Sequence, residues 1–463
     1  MATLGEERTR GTVVQKFGGS SLATTEHVRR VARRIARVAA SGLRVAVVVS
    51  AQGKTTDHLI RTAGEINPDA DGRELDQLLA TGEAASAALM AMALQRIGAP
   101  ATALSGAQTG ILASGPPGSG VIVAIDTERA ERLLDAGRVV VLAGFQGVDA
   151  DGDIITLGRG GSDTTAVAAA AELGATHCEI YTDVPGVLTA DPRLVPTARL
   201  MPRLDMDVMA EMAFAGAKVM HSRAVELAAL CGLDIHVGHS AAPEVGTRIH
   251  ATALHATAPQ TTALHTPALH TPALHVGAPH AGAPHATDGE TMLETQAAVM
   301  AVVHDQDAAR VTVRTSGTAE NPALTVFRAL GREAVPADMT SVHEERGGGH
   351  TIGLTVPHTR LAAVREFLAA HAADGADALT VDDSVAKVSI VGKGLLSRPQ
   401  YAARMLSALT DRGIPAGAFS ASQLRISVTV PRTEMDRAVR LLHTEFELDG
   451  SSDDSPLTLA GRT

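Results

Sequence analysis

Residues 12–49 read TVVQKFGGSSLATTEHVRRVARRIARVAASGLRVAVVV. Val13-Val14-Gln15 is a short extended run that delivers Lys16 into a turn made by Gly18 and Gly19. Beyond it, Val28, Val31, Ile35 and Val38 recur at the spacing of one helix face, and the pattern stops near Gly42. Val45 to Val49 is then short, continuous and β-branched, as expected of a strand covered on both faces. Val139 to Leu142 and Glu179 to Tyr181 repeat that signature. Strand, helix and strand in alternation predict an α/β fold, a mostly parallel sheet with helices on both sides.

The totals fit that reading. A chain of 463 residues, 45% of them hydrophobic, has room for two to four domains with sizeable cores. The formal net charge of −11 argues against nucleic acid or an anionic membrane as the main partner. Two cysteines, Cys178 and Cys231, stand outside any CxxC or CxxH spacing, which fits a reducing compartment. The first ten residues lack the apolar stretch of a secretory signal, and no run approaches the ~18 apolar residues of a membrane span. The expected location is the cytoplasm.

Near His250 the composition changes. Histidine recurs every five residues, at His250, His255, His265, His270, His275, His280 and His285, with Gln260 breaking the series. Five matches neither a helix face nor a strand face, and the intervening prolines remove backbone donors. Residues 250–290 read as a low-complexity linker, for which weak metal chelation is the lesser alternative. After it, strand and helix patterns alternate twice, through Ala308–Val313, Ala323–Leu330, Thr351–Val356 and Leu361–Ala370, then Lys387–Val391, Tyr401–Leu409, Leu424–Val430 and Glu434–His443. This suggests a duplicated α+β module with one strand per copy undefined. The expected division is therefore 12–249, 250–290, 291–385 and 386–450.

Four segments before the linker carry chemistry. Lys16-Phe17-Gly18-Gly19-Ser20-Ser21 offers a point charge and approachable backbone N–H groups, suited to phosphate, although a plain turn with a surface lysine reads the same. Ser50-Ala51-Gln52-Gly53-Lys54-Thr55-Thr56 imitates a Walker A end but has Val48 where that loop needs glycine. Leu157-Gly158-Arg159-Gly160-Gly161-Ser162-Asp163-Thr164-Thr165 is not a dinucleotide fingerprint, because Asp163 stands at the last glycine position. Ser162 or Asp163 can cap a helix through Ala166 to Leu173, and Arg159 is suited to grip a carboxylate. Tyr181-Thr182-Asp183-Val184-Pro185-Gly186, running on to Asp191-Pro192-Arg193, is a turn-rich loop after a strand, where α/β sheets bind ligands.

In this order and at these separations, the four segments resemble those of aspartate kinases in the amino-acid-kinase superfamily. Thr81-Gly82-Glu83, Ser105 to Gly110, Ala143 to Gly147 and Gly216-Ala217-Lys218-Val219 add to the resemblance. It runs from about Val13 to Ile249, is most specific over Thr156 to Arg193, and extends to a tail similar to that family's paired ACT domains. It implies a three-layer amino-acid-kinase fold followed by two ferredoxin-like ACT domains. The implied activity is transfer of the ATP γ-phosphoryl group to the side chain of L-aspartate, the first step toward lysine, threonine and methionine. ATP and Mg²⁺ are the implied cofactors, the metal held through phosphate oxygens with no dedicated protein ligand.

By the same resemblance, Lys16, Phe17, Gly18 and Gly19 would hold the phosphates. Tyr181, Thr182, Asp183, Asp191, Pro192, Arg193 and Lys218 would surround the nucleotide. Ser50, Thr56, Glu83, Arg159, Gly160, Gly161 and Ser162 would hold aspartate, Glu83 through its ammonium and Arg159 through a carboxylate. Lys16, Arg159 and Asp163 would be catalytic. Acetylglutamate, glutamate and UMP kinases are the nearest rivals, and a catalytically silent regulator is the rival of another class.

The chain also departs from the family. His221-Ser222-Arg223-Ala224 replaces a common His-Pro-Arg-Ser, and Ser397-Arg398-Pro399-Gln400 a Ser-His-Pro-Gly. Where each regulatory module usually carries an Asn-Ile-Asp/Glu turn, Pro336-Ala337-Asp338 and Pro415-Ala416-Gly417 stand instead. Proline removes a backbone donor, so capture of a lysine or threonine effector is expected to be weakened or retuned. ACT domains usually pair, which implies a homo-oligomer.

Overall fold

The computed structural model describes residues 11–250, 299–315, 322–332, 335–345, 349–370 and 376–449. An eight-stranded sheet forms the centre. Its strands are β1 (Thr12–Phe17), β2 (Arg44–Val49), β3 (Ala101–Leu104), β6 (Val139–Ala143), β9 (Cys178–Thr182), β10 (Arg203–Asp205), β11 (Ile235–His239) and β12 (Thr247–His250). Their order is β10-β12-β11-β9-β1-β2-β6-β3, and every pair is parallel except β11 with β12. A smaller sheet of β4 (Ile111–Ser114), β5 (Val121–Ile125), β7 (Gln146–Val148) and β8 (Ile154–Thr156) lies beside it.

The valine runs explain the three layers. Successive strand side chains point to opposite faces. Val45, Val47 and Val49 of β2 pack against Val31 and Ile35 of helix Thr25–Ala40 and Met90 and Leu94 of helix Gly72–Arg96. Ala46 and Val48 enter the opposite core, with Val167 of helix Gly161–Glu172, Met209 of helix Met206–Ala215 and Val225 of helix Ser222–Cys231. Each fully buried valine contributes about 1.5–3 kcal/mol of transfer free energy. Helix Gly72–Arg96 is long and apolar enough to cross a membrane, but half of its apolar window is buried inside this fold.

The tail forms two four-stranded antiparallel sheets, each with two helices. The first contains β14 (Ala308–Thr315), β15 (Asp338–Glu344), β16 (His350–Pro357) and β17 (Ala376–Asp382), ordered β15-β16-β14-β17. Its helices are Pro322–Arg332 and Leu361–Ala370. The second contains β13 (Val299–Asp305), β18 (Val385–Gly392), β19 (Phe419–Ala421) and β20 (Arg425–Pro431), ordered β13-β18-β20-β19, with helices Gln400–Asp411 and Met435–Glu445. The sequence left one strand per copy undefined; the structure adds two to each, β15 and β17 in the first sheet and β13 and β19 in the second.

One expected boundary is corrected. Val299–Asp305 falls inside the segment 291–385 assigned to the first module, but it pairs antiparallel with β18 of the second. Residues 386–450 supply only β18, β19 and β20, and β18 needs neighbours on both edges. The upstream strand fills the open edge, so the first module is an insertion between β13 and β18. The linker reading at 250–290 lies outside the described residues beyond His250.

Candidate active site

Lys16 lies near the carboxyl end of β1, between β2 and β9 at the middle of the sheet. The loops leaving these strands are tied together. Gly18 N donates to Tyr181 O at 3.3 Å, Ser50 N to Phe17 O at 3.1 Å and Gly53 N to Gly19 O at 3.0 Å. A Cβ on Gly19 would lie 2.6 Å from the Ala51 carbonyl oxygen, so only glycine lets the first two loops meet.

Lys16 Nζ sits 2.6 Å from Asp163 Oδ1, and both side chains are nearly enclosed. Asp163 belongs to the first turn of helix Gly161–Glu172, whose N-terminus favours negative charge. Here one expectation changes. Neither Ser162 nor Asp163 caps this helix; the cap position is Gly160, in the left-handed region at φ 70°, and the helix starts at Gly161. Both side chains are released to face the site, and a Cβ on Gly144 would stand only 2.8 Å from Ser162 Oγ.

Glu83 enters from helix Gly72–Arg96 and is buried. Its Oε1 accepts from Ala51 N at 3.0 Å, while Oε2 has no hydrogen-bond partner among the described residues. Burial raises its carboxyl to about 7, against the lowering pull of the Ala51 amide. A buried carboxylate oxygen with nothing to bind is a ready acceptor for a substrate cation. Ser50, at the end of β2, and Thr56, in the first turn of helix Thr55–Ile66, are half-buried on the same loop.

Arg159 is exposed on the loop before Gly160. Two residues not singled out as site groups hold that loop. The buried Asp76 accepts from Thr156 N at 2.8 Å, Thr156 Oγ1 at 2.7 Å and Gly118 N at 3.0 Å. Arg223 donates to Leu157 O at 2.8 Å and Gly120 O at 2.9 Å. Arg159, His221 and Arg223 line a cleft of ≈ 900 Å³ whose other wall includes Pro336, Asp338 and Lys387 of the tail.

Two side chains expected at the nucleotide, Phe17 of β1 and Tyr181 of β9, are placed differently from expectation. Phe17 and Tyr181 stack at 4.9 Å between centroids and are fully buried. Tyr181 Oη donates to Glu179 at 2.8 Å and accepts from Arg34 at 2.6 Å. These two rings therefore belong to the core. Thr182 Oγ1 donates to Asp183 at 3.0 Å. Asp191 grips the exposed Arg193 through Nε at 2.9 Å and Nη2 at 2.6 Å, with the half-buried Pro192 between them. Lys218 is exposed just beyond helix Met206–Ala215.

The arrangement unites Lys16, Gly18, Gly19, Ser162 and Asp163 where three strands end, with the Glu83 shell behind the second loop. It offers fixed cationic and N–H groups to an anion and an unpaired carboxylate to a cation.

Residues 11–239 match the amino acid kinase family, and residues 388–446 match the ACT domain. The aspartokinase of Mycolicibacterium smegmatis is 39% identical over 453 residues, spanning 97% of this chain and 99% of that protein. That of Geobacillus stearothermophilus is 37% identical over 95% of this chain and 98% of its own. Among solved structures, E. coli aspartokinase III in complex with aspartate and ADP superposes with a TM-score of 0.74 at 20% identity, covering 94% of this chain and all of that one.

Proposed function

Since the chain belongs to the aspartokinases of the amino acid kinase family, we propose that Lys16, Asp163, Glu83 and Arg159 are the groups with which it phosphorylates aspartate. The reaction is attack of a side-chain carboxylate oxygen on the γ-phosphorus of ATP, with cleavage of the bond to the ADP oxygen. Free aspartate has a side-chain pKa of about 3.9, so the nucleophile is already ionised and needs no general base. The obstacle is the approach of two anions, which positioning and fixed positive charge overcome.

Lys16 and the Gly18 and Gly19 amides meet the phosphates, Asp163 aims the ammonium of Lys16, and Ser162 lines the transfer path. Glu83, with Ser50 and Thr56 beside it, binds the ammonium of aspartate, and Arg159 a carboxylate. Backbone of the Tyr181–Asp183 turn, with Asp191, Arg193 and Lys218, borders the nucleotide. Mg²⁺ would ride on the phosphate oxygens and neutralise them. Asp163 is the one carboxylate beside Lys16 among the contacts described, and it is already paired, which fits a metal held by phosphates rather than by a protein cage.

The observation that carries these roles is the enclosed Lys16–Asp163 pair at the joined ends of β1, β2 and β9. A hydroxamate or coupled ADP assay with aspartate, glutamate, acetylglutamate and UMP tests the substrate. Aspartate-dependent turnover is expected, and turnover equal with any other acceptor would displace aspartate.

We further propose that the tail binds an amino-acid effector near Asp338, in a cytoplasmic homo-oligomer. Asp338 is already engaged by Lys387 at 2.8 Å and Arg425 at 2.7 Å, so an effector's ammonium must compete for it. That competition, with Pro336 beside it, supports weakened or retuned feedback. Strong cooperative inhibition by sub-millimolar lysine plus threonine would refute it.

A further inference from the structure

Away from the site just described, the sheet gathers three metal-ligand side chains. His177 immediately precedes β9, Glu179 follows two residues later in the strand, and His236 lies directly across on β11, in register with Glu179. One ligand atom from each lies within 4.8 Å of the others, and all three residues are half-buried. From this convergence we propose that His177, Glu179 and His236 bind a divalent transition-metal ion of Zn²⁺ type, with solvent in the fourth position.

The geometry suits that ion. His177 Nε2 lies 3.4 Å from the nearer Glu179 oxygen. Bonds of about 2.0–2.1 Å in a tetrahedral Zn²⁺ site put neighbouring ligands about 3.4 Å apart. Two nitrogens and one carboxylate are a ligand set for Zn²⁺ rather than for Mg²⁺ or Ca²⁺, which take oxygen.

Outer contacts orient the ligands as metal sites require. His177 Nδ1 is 2.9 Å from Thr176 Oγ1, which leaves Nε2 for the ion. Glu179 Oε2 receives Gln15 Nε2 at 2.6 Å and Tyr181 Oη at 2.8 Å, which leaves Oε1 facing His177. Such an ion would pin β9 to β11 beneath the Tyr181 turn, whose ring is already tied to Glu179.

The probe is ZnCl₂ added to the full chain, purified with chelator, during thermal unfolding. An ion bound to the folded sheet raises the midpoint by roughly 5 °C at saturation. His177→Val and His236→Val are expected to keep aspartate kinase activity and to lose that rise. Both variants retain the histidines from His250 to His285, so a rise that survives either replacement belongs elsewhere and overturns the proposal. Absence of any rise in the parent overturns it too, whatever the variants do.

Discussion

Lys16 Nζ and Asp163 Oδ1 lie 2.6 Å apart, and the pair joins the central strand to the first turn of the helix that follows the Arg159 loop. An ion pair with so little water costs desolvation on both sides, so its geometry is kept for more than stability. Lys16→Ala is expected to lower turnover by about 10²–10³, the size of effect seen when a fixed charge-stabilising donor is removed. Circular dichroism should be unchanged. A near-normal rate in the hydroxamate assay would remove Lys16 from the mechanism.

Glu83 gives a pH signature. Its folded value is about 7 against an ordinary 4.5, so between those values the folded state holds a proton that the unfolded chain releases. The contribution of this group to stability therefore declines as pH rises through that window. Glu83→Gln should melt above the parent at pH 8, with the difference closing near pH 4.5. In the parent, aspartate affinity should weaken below pH 7 as the ammonium partner is neutralised. Melting curves of parent and variant from pH 4.5 to 8 check the first statement, and titration of the parent's aspartate KM over the same range checks the second.

Gly160 has φ 70°, and a Cβ there would stand 2.1 Å from the Cβ of His221. Gly160→Ala must displace His221 or the loop that carries Arg159. The expected result is a rise in the aspartate KM of at least about tenfold, since a 1 Å misplacement can cost about 10² in rate. A crystal structure of the variant should show the loop moved. Unchanged kinetics would mean that Arg159 does not act from this loop.

Asp338 sits among three parts of the chain, bonded to Lys387 and Arg425, and Arg425 also reaches Glu211 at 3.0 Å. Burial alone would push its carboxyl up, but Arg425 and Lys387 hold it well below the usual range. Its stabilising effect is full above the ordinary carboxylate value and disappears only in strong acid. Asp338→Asn should thus lower the melting temperature at pH 7 and differ less from the parent as pH falls toward 2. The same variant should shift the lysine and threonine inhibition curves, which a dose–response series will read.

The central sheet was legible because the physics that builds it is local. Alternate valines of β2 enter two cores, and that demand writes an unbroken apolar run into the sequence. Lys16, Glu83 and Asp163 were singled out through resemblance to a family, and Lys16 and Asp163 do meet in the fold. Asp76 was not, because its three bonds reach residues distant in sequence and leave no periodic trace. Phe17 and Tyr181 were placed in the right loops, but their rings turned inward, since a strand residue's direction depends on the pleat. Gly160 took the cap position from Ser162 because the left-handed turn needs no side chain there. The tail misled at one point: nothing in Val299–Asp305 says which of two similar sheets it will join.

That strand has a consequence for the order of synthesis. A ribosome delivers β13 before the whole first module and its partner β18 only afterwards. The final sheet therefore cannot close while the module between them is still emerging, and the nascent β13 edge stays open to competing partners until then. A protease nick within that module would leave two fragments still clasped through the β13–β18 ladder.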